Sequence, residues 1–234
     1  MTIPMIRLRR RLVLSLAGSM LAVFTTACSG PAPGIQADAD VPSSDSGFIG
    51  GEIDSGIGLL FVSVPPFGET FSHDGNTISV RSAEFTIVDL RLIGDAASGD
   101  FRTSKDLVEL SWKEDKEEAV PVGYEDAPPG MYSRVRGTVV GFSIKGDVEL
   151  DDGTEAEFEV EQESVSLPIE FSLALSLEAG EGQTLTVEVD LKNITEEIPF
   201  EDLTVENGEI EIDEDSEAME KVEEKIGESF EVTD

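Results

Sequence analysis

Residues 165–177 read VSLPIEFSLALSL, with Val165, Leu167, Ile169, Phe171, Leu173, Leu175 and Leu177 at alternate positions. Ser166, Pro168, Glu170, Ser172, Ala174 and Ser176 stand between them. A strict period of two is a strand with one face in a core and the other in water; a helix repeats its apolar residues at three and four. Pro168 has no N–H to give a ladder, so it places this end at a sheet edge or a bulge.

The same period spreads outward. Leu185, Val187, Val189 and Leu191 alternate with Glu188 and Asp190, and Ala156, Phe158 and Val160 alternate with glutamates. Gly180 to Gln183 reads as the turn between the strand above and its successor. Two longer runs change phase. Ala83, Phe85 and Ile87 give way to Val88, Leu90 and Leu92; Val135 and Val139 give way to Val140, Phe142 and Ile144. A β-bulge produces such a slip. Further strands are expected at 59–64, 77–80, 106–111, 119–122, 147–150 and 208–213. Residues 126–130 (DAPPG) and 151–153 (DDG) are turn signals.

One helical extension is expected, at 215–228. Asp215 or Ser216 offers an N-cap, and Met219, Val222, Ile226 and Phe230 form a narrow apolar stripe that suits a sheet rim. The fold class is therefore mainly β, an antiparallel β-sandwich with one C-terminal α-helix. No repeat of propeller or solenoid length is visible.

The 234 residues hold 50 Asp and Glu against 16 Lys and Arg, a formal charge of −34. That excess argues against nucleic acid and against adsorption to anionic lipid headgroups. A single Cys and a single His exclude a disulfide framework, a zinc cluster and a Cys–His nucleophilic pair.

The N-terminus carries Arg7, Arg9, Arg10 and Arg11, then an apolar stretch from Leu12 to Phe24, then Thr25, Thr26, Ala27 and Cys28. This is the order of a signal peptide. It resembles a bacterial lipoprotein signal with TTAC as its lipobox. The resemblance implies cleavage after residue 27 and acylation of Cys28 as the membrane partner site. Ser29, which is not Asp, implies the outer membrane. Residues 28–57, rich in Gly, Pro, Ser, Ala and Asp, read as the lipidated Cys and a flexible tether. The domain is expected at 58–234. After cleavage the charge reaches −38, because the leader holds four arginines and no acid.

Several stretches recur in an order that resembles a family of bacterial lipoprotein domains of unknown function: AEFTIVDLRLIGD (83–95), KDLVELS (105–111), APPGMYSRVRGTVVGF (127–142) and TLTVEVDL (184–191). The resemblance covers roughly residues 58–191. It implies a transthyretin-like or immunoglobulin-like sandwich on an extracytoplasmic anchor, and no catalytic residue. Tyr132 can cap the Pro128-Pro129-Gly130 turn with its hydroxyl, and Leu107 and Leu110 are expected in the core.

His73, in a Ser-His-Asp-Gly-Asn loop, reads as a surface residue, and no nucleophile elbow or phosphate loop is present. Acid clusters are the remaining candidates. Asp147, Glu149, Asp151 and Asp152 crowd one turn; Glu209, Glu211 and Asp213 share one face of a strand. Calcium takes such oxygen ligands, and extracellular modules hold it weakly. The competing reading is a solvated acidic surface suited to a saline exterior. The expected function is a non-enzymatic, lipid-anchored module for surface interaction, ligand capture or envelope structure, with a surface protein or glycan as partner and a monomeric state. The alternatives are a calcium-dependent adhesion module and a carboxylate hydrolase acting on glycans.

Overall fold

The computed structural model describes residues 53–95, 101–114, 119–212 and 214–233. Cys28, the leader and most of the tether lie outside these residues. Two sheets face each other. The smaller has the strand order β11-β9-β1-β5, formed by β11 (Phe230–Thr233), β9 (Gly182–Asp190), β1 (Gly56–Val64) and β5 (Val120–Tyr124). The larger has seven strands. Its spine is β3 (Asn76–Gly94) against β6 (Gly130–Glu149), antiparallel over nearly their whole length.

Each spine strand serves two partners in succession on its free side. β3 takes β2 (Thr70–His73) and then β4 (Ser104–Lys113). β6 takes β8 (Leu167–Leu177) and then β7 (Glu155–Gln162), and β10 (Glu209–Glu211) adds to β7. Most pairs are antiparallel; β1 with β9 and β10 with β7 are parallel.

The phase changes are bulges. Asp89 has φ 54°, and the β3–β6 register slips between Val88 and Arg91. On β6 the extra residue is Val140, between Val139 and Gly141. Each slip returns the next apolar residues inward: Ile87, Leu90 and Leu92 are all buried, as are Val139, Phe142 and Ile144. Without them, half of each long strand would turn its apolar side to water.

Pro168 stands on β8, which pairs only with β6 and is an edge strand. The turn after Leu177 is present, but it does not close a hairpin. β8 stays in the large sheet and β9 crosses to the small one, because β9 lies alongside β1 instead. The expected strand 59–64 begins earlier, at Gly56.

Phe230 belongs to β11, not to the helical stripe. Its ring sits between both sheets, edge-on to Phe61 at 6.5 Å and Phe85 at 6.0 Å, and stacked on Phe171 at 6.2 Å. The helix α2 (Glu217–Ile226) ends first, at Gly227. Ser216 caps it by accepting from the Met219 N–H, and Ala218, Met219, Val222 and Ile226 are buried. A short helix α1 (Leu191–Thr195) follows β9 directly, capped by Asp190. Downstream, Phe200 packs edge-on against Phe158 of β7 at 5.3 Å. The chain after β9 thus covers the part of the large sheet that the small sheet leaves open.

Two hydroxyls tie one end together. Tyr124 donates to the Leu90 carbonyl at 3.2 Å, joining the sheets, and Tyr132 donates to the Pro128 carbonyl, the turn cap expected from sequence. Leu110 is buried, but Leu107 is 57% exposed, a correction. Val108 takes the inward position because β4 enters the alternation one residue out of step with that reading. No helix among the described residues is long and apolar enough to cross a membrane.

Candidate functional site

The outward face of the large sheet carries three cross-strand rows. Register places Lys113, Ser82, Lys145, Glu159 and Glu211 side by side across β4, β3, β6, β7 and β10. The next row is Ser111, Glu84, Ser143 and Glu161. On the other side run Ser79, Asp147, Glu157 and Glu209. Like charges directly opposite one another repel, and the acids of β7 and β10 do stand opposite. Bases from β3 and β6 offset them.

Arg81 is central to that balance. It sits at the slip between Val80 and Ser82, which aims it over the rows. Its guanidinium lies 3.2 Å from Asp147 and 3.1 Å from Glu157. The hydrogen bond from Arg81 holds the Glu157 carboxyl below the usual range, and the Arg81 guanidinium is raised in return. Lys145 pairs with Glu159 and is raised by it. Lys113 lies 3.6 Å from Glu84, which also accepts from Ser111 at 3.2 Å. Glu161 moves the other way: slight desolvation, then the neighbouring Glu159 charge, push its carboxyl up. Exposed pairs of this kind contribute about 0–1 kcal/mol each, so they order the face more than they stabilise the fold.

Between the rows lies an open depression of about 770 Å³, lined by Arg81, Ser82, Glu84, Lys113, Glu114, Ser143, Lys145 and Glu161. Serines on adjacent strands make its floor low, because their short side chains stand between long charged ones. The depression offers cationic donors, hydroxyls and carboxylates within one surface.

The carboxylates expected to hold calcium are distributed as follows. Asp147 faces Arg81, and Glu209 and Glu211 flank Glu157 and Glu159 on the same face. Glu149 lies at the strand end opposite Glu155. Asp152 accepts from the Thr154 N–H, and the Asp151 N–H donates to Asn76. Asp213 is outside the described residues. No group of three or more His, Cys, Asp or Glu among the described residues is arranged to hold a metal. His73 lies 3.2 Å from Asp74 and 3.7 Å from Glu196, away from the depression.

The residues that sequence reasoning missed are Arg81, Ser82, Lys113, Ser143 and Lys145. The signal that points to them is scarcity: bases are rare in this chain, and three fall on outward positions of its spine and its neighbour. A second cluster lies further along β6, where Arg134 at 2.9 Å and Arg136 both donate to Glu170 and lower its carboxyl. No family model matches the chain, and neither a curated protein nor a solved structure does.

Proposed function

We propose that the chain is a lipid-anchored, extracytoplasmic module of the bacterial envelope whose large sheet captures a polar partner without turning it over. The observation that carries this reading is the depression floored by Ser82 and Ser143 and ringed by bases and acids. Such a surface suits a ligand with charges of both signs, a glycan bearing amino and carboxyl groups or a mixed-charge protein surface. Docking there exchanges surface pairs for ligand pairs at small cost. The anchor is the acylated Cys28, supported by the basic, apolar and TTAC order of residues 7–28.

Two measurements test the reading. Cys28→Ser should move the protein from the membrane fraction to the soluble one and abolish palmitate incorporation; retention in the membrane would refute the anchor. Chemical-shift titration of the domain with envelope glycan fragments should perturb Ser82, Ser143 and their neighbours, and Lys113→Glu with Lys145→Glu should weaken binding at least tenfold. The hydrolase alternative is favoured by one observation, the carboxylates Glu84 and Glu161 lining the same depression, Glu161 with its carboxyl raised. Cleaved product that disappears with Glu161→Gln would favour that alternative.

A further inference from the structure

Three large apolar side chains stand in solvent among the described residues: Phe101 at 84%, Leu107 at 57% and Met131 at 52% exposure. They are not scattered. Phe101 opens the short turn that leads into β4, and Met131 is the second residue of β6. The Met131 N–H donates to the carboxylate of Asp95, just past the end of β3, and its carbonyl accepts from the Asp95 N–H. Both therefore lie at the end of the large sheet where β3 stops and β4 and β6 start. Leu107, opposite Val88, is three register positions in from there.

The tether enters at this same end. β1 begins at Gly56, whose N–H donates to the Glu181 carbonyl at 2.9 Å, and Tyr124 of the adjoining β5 reaches Leu90 of β3. Bases stand here as well, fewer than the acids around them and several already paired, Arg91 with Asp89 and Arg134 and Arg136 with Glu170. Arg91, Arg102, Lys105, Arg134 and Arg136 are five of the twelve that follow Cys28. Asp89, Asp95, Asp106 and Glu170 accompany them in and beside the same strands, and Asp54, Glu125, Asp126, Glu178 and Glu181 lie on the loops of that end. The opposite end carries Asp147, Glu149, Asp151, Asp152 and Glu155, with Lys192 over the Phe71 ring of β2 as a base on that side.

We propose that this end docks on the lipid surface that holds the anchor. Phe101 and Met131 enter the boundary between headgroups and acyl chains. The proposal rests on the acyl-anchor reading of Cys28. The net charge, −38 once the leader with its four arginines is removed, opposes adsorption of the molecule as a whole and here orients it: an anionic surface repels the far end most. The tether holds the domain near the bilayer, so weak contacts suffice, with an effective concentration of about a millimolar. Cys28 stands 28 residues before Gly56, chain enough for the entry end to lie on the headgroups.

Acylated mature protein, residues 28–234, in phosphatidylethanolamine–phosphatidylglycerol vesicles gives the test. With Cys28 acylated, a single introduced cysteine is the only free thiol. An environment-sensitive label on Met131→Cys should shift to the blue and be quenched by brominated lipid at least threefold more than the same label on Glu155→Cys. Adding Phe101→Asp should remove most of that difference, and circular dichroism should stay unchanged because Phe101 is exposed. Protein that floats with the vesicles while both labels are quenched alike overturns the docking and leaves the anchor standing. Protein that does not float overturns both.

Discussion

Truncating Phe230 to Ala isolates the part of the core that depends on the last strand of the chain. The ring is 5% exposed and meets Phe61, Phe85 and Phe171 from both sheets. Phe→Ala in a core costs about 3–5 kcal/mol from lost transfer energy and the cavity left behind. Aromatic contacts in these geometries contribute about 0.5–1.5 kcal/mol each beyond area, so the upper half of that range is expected. With a urea slope of about 2 kcal/mol per molar, the midpoint should fall by about 2 M at constant slope. Phe101→Ala, at an exposed position, should stay within about 0.5 kcal/mol of the parent. Urea unfolding followed by far-ultraviolet dichroism and by Trp112 fluorescence measures both. A loss under about 1 kcal/mol for Phe230→Ala, with unchanged slope, would refute the view that β11 closes the core.

Tyr124→Phe should cost about 0.5–1.5 kcal/mol, because it deletes a buried hydrogen bond to the Leu90 carbonyl; equal stability in urea would show the bond to be idle. Burial pushes the Tyr124 phenol well above its ordinary range, so alkaline absorbance titration should ionise it only as the protein unfolds. Glu170 has a depressed folded carboxyl, so its stabilising effect is complete above the ordinary glutamate range and is lost as pH falls through the lower, folded value. Glu170→Gln should therefore lower Tm at pH 7 and leave it nearly unchanged at pH 2; an equal loss at both would refute the charge-based account. Tm at neutral pH should rise with NaCl toward molar concentration as screening relieves the acid excess, and a falling Tm would remove the charge-repulsion argument.

The strands were legible wherever alternation ran unbroken, as in β7, β8 and β9. The bulges in β3 and β6 were also legible, because a slip in phase is itself a periodic signal. What escaped was long-range. Residues 77–80 and 83–92 form one strand, as do 131–144 and 147–150, and only pairing with each other shows that they continue. β2 and β11 have four residues each, too few for a period to declare itself. Phe230 fits a helical spacing after Ile226 equally well; Gly227 and the aromatic cluster decide against it. The candidate site was hidden for a different reason. Arg81, Ser82, Lys113, Ser143 and Lys145 come from three strands, and their neighbourhood is a product of register. Reading acids as metal ligands drew attention to one sign of charge, while the rows are built from both.

β1 lies inside the small sheet, matched to β9 at nine positions and to β5 at five. Its first residue, Gly56, is where force arrives if the anchor is held and a partner pulls on the opposite end. A pull along that strand loads both ladders in shear, so many hydrogen bonds must fail together. Had the tether joined an outer strand such as β5 or β11, the same pull could have peeled it away bond by bond. The central position of β1 therefore makes Gly56 a mechanical joint, where tension on the preceding chain would meet two ladders at once.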